Sequence, residues 1–237
     1  VTKGFRPLTE KRTETLLKKV RPKKPSLEVL EYVQVKDGEM RATDLENEIR
    51  VKTELEDGLY QRVGNEYVKV DLKVEEFPDV LWKETKNVKS FNASGIIPAL
   101  KAAVAVTIDD YQRPVLNGVF MSSDGRSLKI YGTDAHKLVV KTIPGNYPKF
   151  QAIVPAKAVK ALIYNDKADD FLVRIGEKGK DFKHQVLEFN NGESVVTTRE
   201  IDGSYPRNIE SGVIPDVTFE RTVFDRKQLL DAVKKLK

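Results

Sequence analysis

The sequence uses one arrangement twice: two β-prone segments around an Asp-Gly turn, followed by a polar stretch that begins with Thr-Asp. In the clearer copy, Asn117-Gly118-Val119-Phe120 and the segment after Asp124-Gly125 lead to Thr133-Asp134-Ala135-His136-Lys137-Leu138. In the earlier copy, Asp37-Gly38 precedes Ala42-Thr43-Asp44-Leu45-Glu46. Asp-Gly between β-prone segments is a strong signal for a hairpin. Two copies of this hairpin and corner predict a chain built from repeated modules of antiparallel sheet.

Apolar residues at helical spacing predict helices between the strands. The first helix covers residues 9–20, with Thr9 as its predicted N-cap. The second begins with Ser94 as its cap and runs to about residue 106. Both helices have an apolar side that is predicted to be buried. In the first helix this side consists of Leu16, Leu17 and Val20, and in the second of Ile97, Leu100, Ala103 and Val104.

Two further helices follow in the second half of the chain. One begins at Val154-Pro155-Ala156 and the other after a capping Asp225, with its predicted inward side chains at Leu229, Leu230, Val233 and Leu236. Runs of strands with helices set against them predict the α+β class. We expect three units: residues 1–86, a shortened first module; residues 87–215, a complete middle module; and residues 216–237, the opening helix of a third.

The bulk composition indicates a cytoplasmic globular protein. The 237 residues contain no cysteine, which excludes disulfides and thiolate metal sites. No apolar run approaches the ~18 residues of a membrane helix, and residues 1–7 lack the apolar core of a signal peptide. We therefore expect no membrane association.

Positive charge is concentrated at the start of the chain and on predicted helices. Residues 1–24 contain nine Lys and Arg residues against two acids, and the whole chain has a net charge of +5. Such asymmetry favours a polyanionic partner, with nucleic acid first, although a solvated helix face is the alternative. The candidate DNA-binding residues are Lys11, Arg12, Lys18, Lys19, Lys101, Arg113, Lys157 and Lys160.

Three motifs together resemble a known family. Arg113-Pro114-Val115-Leu116-Asn117-Gly118 followed by Gly132-Thr133-Asp134-Ala135-His136-Lys137-Leu138 is similar to the R-x-x-L-N-G and A-T-D-G-H-R-L motifs of the bacterial sliding clamp, the DNA polymerase III beta subunit. Ile153-Val154-Pro155-Ala156-Lys157 resembles the start of a helix in the middle domain of that family. Ile201-Asp202-Gly203-Ser204-Tyr205-Pro206 through Val213-Ile214-Pro215 resembles the junction that follows it.

The resemblance implies a DNA-clamp fold and a groove for short apolar peptides beside the Thr133 corner. By correspondence with the family motifs, the groove would use Leu116, Thr133, Ala135, His136, Lys137, Leu138, Pro206 and Val213. An apolar groove with a few polar edges suits a short anchored peptide. From the residues alone, Leu116, Leu138 and Val213 are equally compatible with an ordinary core.

The chain departs from the family in several places. The family has three domains of similar size, whereas the first module here has no second helix between Tyr60 and Tyr67, and the third is only a helix. Ala135 and Lys137 stand where the family usually has Gly and Arg. The sequence is therefore either a fragment or a shortened clamp-like protein of phage or mobile-element type, and a closed ring of two such chains does not follow from the resemblance.

Catalytic and metal-binding patterns are absent from the sequence. Its two histidines, His136 and His184, have no second ligand at metal spacing, and no phosphate-binding loop or nucleophile elbow is present. The acidic pairs Asp109-Asp110 and Asp169-Asp170 fit solvated loops. We expect no enzyme activity, no cofactor and no metal.

The predicted function is that of a clamp-like processivity factor. It would hold duplex DNA without reading its sequence, bind a DNA polymerase and a clamp loader through short apolar peptides, and form a homo-oligomer. The alternative is a clamp-fold adaptor or decoy that binds the partners of a clamp without forming a ring on DNA.

Overall fold

The computed structural model describes residues 9–79, 85–165, 169–178, 184–206 and 223–236. The chain divides into two compact units, residues 1–205 and residues 206–237. Within the described ranges, no helix has the length and apolar character needed to cross a membrane.

The first unit contains a nine-stranded antiparallel sheet that runs through both predicted modules. Its order is β5-β4-β1-β2-β3-β13-β12-β11-β6. The first-module strands are β1 (Val33–Lys36), β2 (Glu39–Thr43), β3 (Asn47–Lys52), β4 (Gly58–Val63) and β5 (Glu66–Val70). The middle-module strands are β6 (Lys86–Ser94), β11 (Asp170–Lys178), β12 (His184–Asn190) and β13 (Ser194–Arg199).

A second antiparallel sheet belongs to the middle module alone. Its order is β10-β7-β8-β9. The strands are β7 (Gly118–Ser123), β8 (Ser127–Thr133), β9 (Leu138–Pro144) and β10 (Phe150–Pro155). In both modules a hairpin and a corner connect three successive strands, so β1-β2-β3 corresponds to β7-β8-β9. The predicted repeat is therefore present in the fold.

Three helices pack against the sheets: α1 (Glu10–Val20), α2 (Ile96–Val104) and α3 (Ala156–Leu162). Helix α1 contacts β2 and β3, α2 contacts β7, β8 and β9, and α3 contacts β7, β10 and β13. The predicted apolar sides are buried, since Leu16, Leu17 and Val20 are fully inaccessible. Burying ~100 Å² or more of apolar surface per side chain, at about 25 cal/mol per Å², makes this contact the main stabilising force of the helix layer.

Helix α2 lies unusually close to β8. Gly132 in β8 faces Ala103, and a Cβ atom built on the glycine would lie 2.0 Å from the Ala103 carbonyl oxygen. A side chain at this position would push the helix away, because real Cβ contacts are never that short. Gly132 thus allows the close approach of α2 to the sheet.

The first module ends in a hairpin where a complete module would have a helix. Strands β4 and β5 pair from Leu59–Val70 to Val63–Glu66 around a turn at Gly64. The predicted lack of a second helix between Tyr60 and Tyr67 is confirmed. The Asp37-Gly38 turn is also as predicted: both residues have positive φ, +52° and +71°, as a type I′ hairpin requires.

The prediction that Ser94 caps the second helix is wrong. Ser94 does not cap α2; it ends β6, and Gly95 occupies the N-cap position with φ +71°. The capping oxygen comes from Asp169, whose carboxylate accepts a hydrogen bond from the Ile97 amide at 2.9 Å. Local sequence favoured the nearby serine, but the tertiary fold supplies an aspartate 72 residues away.

The second unit contains helix α4 (Arg226–Lys234). The predicted cap is confirmed, because Asp225 accepts a hydrogen bond from the Gln228 amide at 2.8 Å. The predicted burial of its apolar side is wrong for the described structure. The exposed fractions are 48% for Leu229, 47% for Leu230, 52% for Val233 and 87% for Leu236.

Replacing Asp169 with Ala should destabilise the chain by about 0.5–2 kcal/mol, because α2 loses its capping acceptor. Ser94→Ala is the matched control and should stay within about 0.5 kcal/mol, since this side chain is exposed and caps nothing. Urea unfolding followed by circular dichroism measures both. Equal effects of the two substitutions would contradict the assignment of the cap.

Candidate functional site

The predicted corner is a tight turn held by two side chains. Thr133 Oγ1 accepts a hydrogen bond from the Ala135 amide at 3.0 Å and donates one to the Lys137 carbonyl at 2.6 Å. Asp134 Oδ1 accepts from the amides of His136 and Lys137 at 2.9 and 2.7 Å. These bonds satisfy backbone groups that the sheet leaves unpaired. Ala135 is forced to φ +73°.

The earlier corner has the same geometry. Thr43 Oγ1 accepts from the Leu45 amide and donates to the Asn47 carbonyl, at 2.9 and 2.8 Å. Asp44 Oδ1 accepts from the amides of Glu46 and Asn47 at 3.0 and 2.6 Å. Leu45 has φ +78°. The sequence similarity between the two corners therefore reflects a shared backbone conformation.

The same pattern of acceptors occurs in two ordinary hairpin turns. Asp124 accepts from the amides of Arg126 and Ser127, and Asn191 accepts from those of Glu193 and Ser194. Glycine takes the positive-φ position in both of these turns. In the two corners, Leu45 and Ala135 occupy this positive-φ position. Ala135 therefore has the backbone conformation that the glycine of the family motif would adopt, although the residue type differs.

Asp134 remains ionised under acidic conditions. Hydrogen bonds from the amides of His136 and Lys137, and then the Lys137 ammonium, hold the pKa of its carboxyl well below the usual range. Because the pKa of Asp134 is lower in the folded chain than in the unfolded chain, the ionised carboxylate stabilises the fold, and this stabilisation is complete above the pKa of the unfolded chain. It is lost as the pH falls through the folded pKa.

Replacing Ala135 with Gly should raise the free energy of unfolding by up to about 1 kcal/mol. A non-glycine residue in the left-handed region costs ~1–2 kcal/mol, and the extra entropy of glycine in the unfolded chain removes part of the gain. Ala102→Gly in the interior of α2 is the matched control and should lower stability by about 0.5–1 kcal/mol. Thermal unfolding reports both changes, and a loss of stability in Ala135→Gly would contradict the strain.

The structure gathers most of the predicted groove residues at one end of β8 and β9. Thr133 pairs with Leu138 in the sheet register; the threonine is buried and the leucine half-buried. Ala135, His136 and Lys137 are exposed between them. Leu116 is buried and ends a one-turn 3₁₀ helix just before β7. Pro206 lies in the second unit, and Val213 falls outside the described residues.

Sequence reasoning missed an aromatic cluster on the same face of the sheet as Thr133 and Leu138. Phe120 stacks on Tyr205 with ring centroids 4.7 Å apart and an interplanar angle of 11°. Tyr131 lies against Phe120, with a centroid separation of 5.5 Å. Burial raises the pKa of Tyr205 to about 12. The spacing of Tyr131 and Thr133 along one strand is the sequence signal for a shared face.

The candidate DNA-binding residues lie mainly on a connected helix layer. Helix α3 contacts both α1 and α2, so Lys11, Lys18, Lys101 and Lys160, all exposed, belong to neighbouring helices. A cationic surface shared by several helices is suited to phosphate contact without base readout.

Several of the candidate cations have contacts within the protein. Lys18 forms an ion pair with Glu14 at 3.1 Å, and Arg113 pairs with Asp110 at 2.9 Å. The Lys19 ammonium lies 5.4 Å from the centroid of the Tyr164 ring. Exposed pairs of this kind contribute only about 0–1 kcal/mol, so Lys18 and Arg113 are able to exchange partners.

Lys157 makes contacts that the sequence did not indicate. Its ammonium donates a hydrogen bond to the Val20 carbonyl at 2.9 Å and another to Asp44 Oδ2. Both acceptors belong to the first module, whereas Lys157 belongs to the middle module. The predicted role of Lys157 in DNA binding therefore competes with a structural one.

A charged cluster, also missed from the sequence, spans the junction of the modules on the sheet. Arg50 on β3 forms ion pairs with Glu48 and Glu39 of the first module and with Glu188 on β12. Arg174 on β11 also pairs with Glu188, at 3.0 Å. Burial raises the pKa of Glu48, against the opposing effect of its arginine neighbours. The cluster lines an open cavity of about 810 Å³.

The two acidic pairs have structural roles in part. Asp110 accepts from the Gln112 amide and from the Arg113 side chain, which lowers the pKa of its carboxyl. Asp169 caps α2, as described above. Over the described ranges, no group of three or more histidine, aspartate or glutamate side chains is placed to hold a metal ion.

Comparison with known proteins identifies the middle module. Residues 94–207 match the family described as DNA polymerase III beta subunit, central domain. This part of the chain is thus similar to the central domain of the DNA polymerase III beta subunit. The matched range includes both sheets' middle-module strands from β7 onward and the Thr133 corner, so the resemblance predicted from the motifs is confirmed.

Curated relatives in this family extend the match beyond the middle module. The beta sliding clamp of Synechococcus elongatus is 27% identical over 188 residues, which cover 76% of this chain and 46% of the relative. The beta sliding clamp of Pseudomonas aeruginosa is 28% identical over 123 residues, covering 51% of this chain and 32% of the relative. The chain thus spans at most about half the length of these beta-subunit relatives.

Solved structures of beta subunits share the fold. The sliding clamp of Bacillus subtilis gives a TM-score of 0.74 at 15% identity and covers 94% of this chain and 70% of its own. The clamp of Pseudomonas aeruginosa bound to griselimycin gives 0.70 at 22% identity, covering 96% and 72%. The predicted α+β DNA-clamp fold is therefore confirmed.

Proposed function

We propose that this chain is a sliding-clamp processivity factor that tethers a DNA polymerase to duplex DNA. The observation that carries the proposal is a beta-subunit central domain joined by a continuous sheet to a second clamp module, with cationic helices packed in one layer. Such a surface attracts phosphates at any sequence and leaves the duplex able to move. The role requires positioning and electrostatics, and no chemistry by this chain.

The proposal assigns the two surfaces different partners. Duplex DNA contacts the helix layer and the adjoining Arg113 loop. The proposed DNA surface consists of Lys11, Arg12, Lys18, Lys19, Lys101, Arg113, Lys157 and Lys160. Partner peptides from the polymerase and the clamp loader contact the groove beside residues 133–138. The chain acts as a homo-oligomer. Each copy consists of a shortened module (1–86), a complete module (87–215) and the start of a third (216–237).

Neutralising helix cations should weaken DNA binding in a salt-dependent way. In the variant Lys11→Gln, Lys18→Gln, Lys160→Gln, the slope of log K against log salt should become shallower by about 0.9 for each lost phosphate contact. Fluorescence anisotropy with a labelled duplex, measured from low to moderate salt, gives the slope.

The matched control neutralises three exposed lysines outside the helices: Lys36→Gln, Lys73→Gln, Lys149→Gln. It changes the net charge equally and should leave the slope unchanged. Equal slopes for both variants would remove the helix layer from the DNA site. Absence of salt-dependent binding by the unmodified chain, together with intact peptide binding, would favour the adaptor alternative.

A short apolar clamp-binding peptide should perturb the corner selectively. In a titration followed by NMR, the amides of His136 and Leu138 should shift, because an occupant of the groove covers this end of β8 and β9. The matching turn at Asp124–Ser127 is the internal control, since it has the same hydrogen bonds at the opposite end of β8. Shifts confined to the control turn, or none at either, would contradict the groove.

A further inference from the structure

We propose that Lys157 is a positioning residue that fixes α1 against α3, and that it serves DNA binding through this contact instead of touching phosphate. The proposal deepens the proposed function, since it concerns how the cations of two modules are aligned. It rests on three groups brought together from distant parts of the chain: the Lys157 ammonium, the Val20 carbonyl and the Asp44 carboxylate. These three groups are called the Lys157 bracket below.

The Val20 carbonyl needs a donor. Val20 is the last residue of α1, and the last four carbonyls of a helix have no partner within the helix. The residue is fully buried, so an unpaired carbonyl there would be costly. The Lys157 ammonium supplies the hydrogen bond at 2.9 Å, and a cation at the C-terminus of a helix also interacts favourably with the helix dipole.

The third group of the bracket is Asp44 Oδ2, the carboxylate oxygen that accepts no backbone amide of the corner. Asp44 Oδ1 accepts from the amides of Glu46 and Asn47, while Oδ2 accepts from Lys157. In this ion pair the Asp44 side chain is 14% exposed and the Lys157 side chain is 42% exposed. The bracket therefore joins the end of α1, the first corner and the start of α3.

Comparison of the two corners supports a role between modules. In the second corner, the corresponding oxygen of Asp134 accepts from Lys137, three residues along the same turn. In the first corner, the residue at that position is Asn47, whose side-chain amide donates to Asp44 Oδ2 at 3.1 Å. An ammonium from the next module donates to the same oxygen. The same turn thus accepts a local lysine in one case and an inter-module lysine in the other.

The bracket sets the relative position of the candidate DNA cations. Helix α1 carries Lys11 and Lys18, and α3 carries Lys160 one turn beyond Lys157. The two helices pack directly on each other. The Lys157 ammonium already donates to two acceptors, one of them a buried carbonyl at 2.9 Å. We therefore expect its loss to displace the other cations and to leave the number of phosphate contacts unchanged.

The decisive experiment measures affinity and salt slope together. Lys157→Met removes the ammonium and keeps the length of the aliphatic stem. We expect duplex affinity to fall about two- to five-fold, the range of a cation's contribution at a helix C-terminus, with the slope of log K against log salt unchanged. Lys157→Arg should restore the affinity. Lys160→Met should instead make the slope shallower by about 0.9.

A second measurement reports the helices without DNA. Because the chain has no cysteine, Glu10→Cys and Lys160→Cys provide a unique pair of sites for nitroxide labels. The distance distribution between them should broaden with Lys157→Met or with Asp44→Asn, and stay narrow with Lys157→Arg. Asp44→Asn also covers the case in which Lys157→Met fails to fold.

The outcomes separate the two proposals. A shallower slope in Lys157→Met with an unchanged distance would make Lys157 a phosphate contact and overturn the bracket. An unchanged distance in both Lys157→Met and Asp44→Asn would overturn it as well. If the unmodified chain shows no salt-dependent DNA binding but the distance responds as expected, the bracket stands and the proposed DNA role fails.

Discussion

The antiparallel ladder between β3 and β13 is the interaction on which the rest of the structure depends. It pairs Val51 with Ser194 at one end and Asn47 with Thr198 at the other, so two modules share one sheet. The pairing brings Arg50 next to Glu188 and places the first corner beside the strand that ends the middle module. Backbone hydrogen bonds fix this register, and a shift by one residue would turn every side chain of β3 to the opposite face.

A shared sheet also explains why the cationic helices form one layer. Helices on the same face of a continuous sheet have to pack against one another, as α1 and α3 do. The bracket and the Lys19–Tyr164 contact both lie at this junction.

Sequence reasoning succeeded where structure depends on neighbouring residues. The Asp37-Gly38 turn follows from two adjacent residues that adopt positive φ. The two Thr-Asp corners and the Asp225 cap follow from side chains that bond to amides two or three residues away. It failed where the partner is distant. The α2 cap comes from Asp169, and the fate of Lys157 depends on Asp44, 113 residues earlier. On a helix, a lysine opposite the apolar side gives the same sequence pattern in two cases: when it contacts a DNA phosphate and when it contacts a carboxylate of the protein. The pattern alone therefore cannot distinguish the two roles.

The contact at Gly132 has a consequence for how the two proposed surfaces relate. This residue touches α2 on one side of the sheet, and the corner begins at the next residue along β8. Only one backbone thickness separates the helix layer from the groove at this point. Since the packing leaves no free space at this contact, a side chain introduced at Gly132 would move both α2 and the start of the corner. One glycine thus limits the positions of two surfaces to which it contributes no side chain.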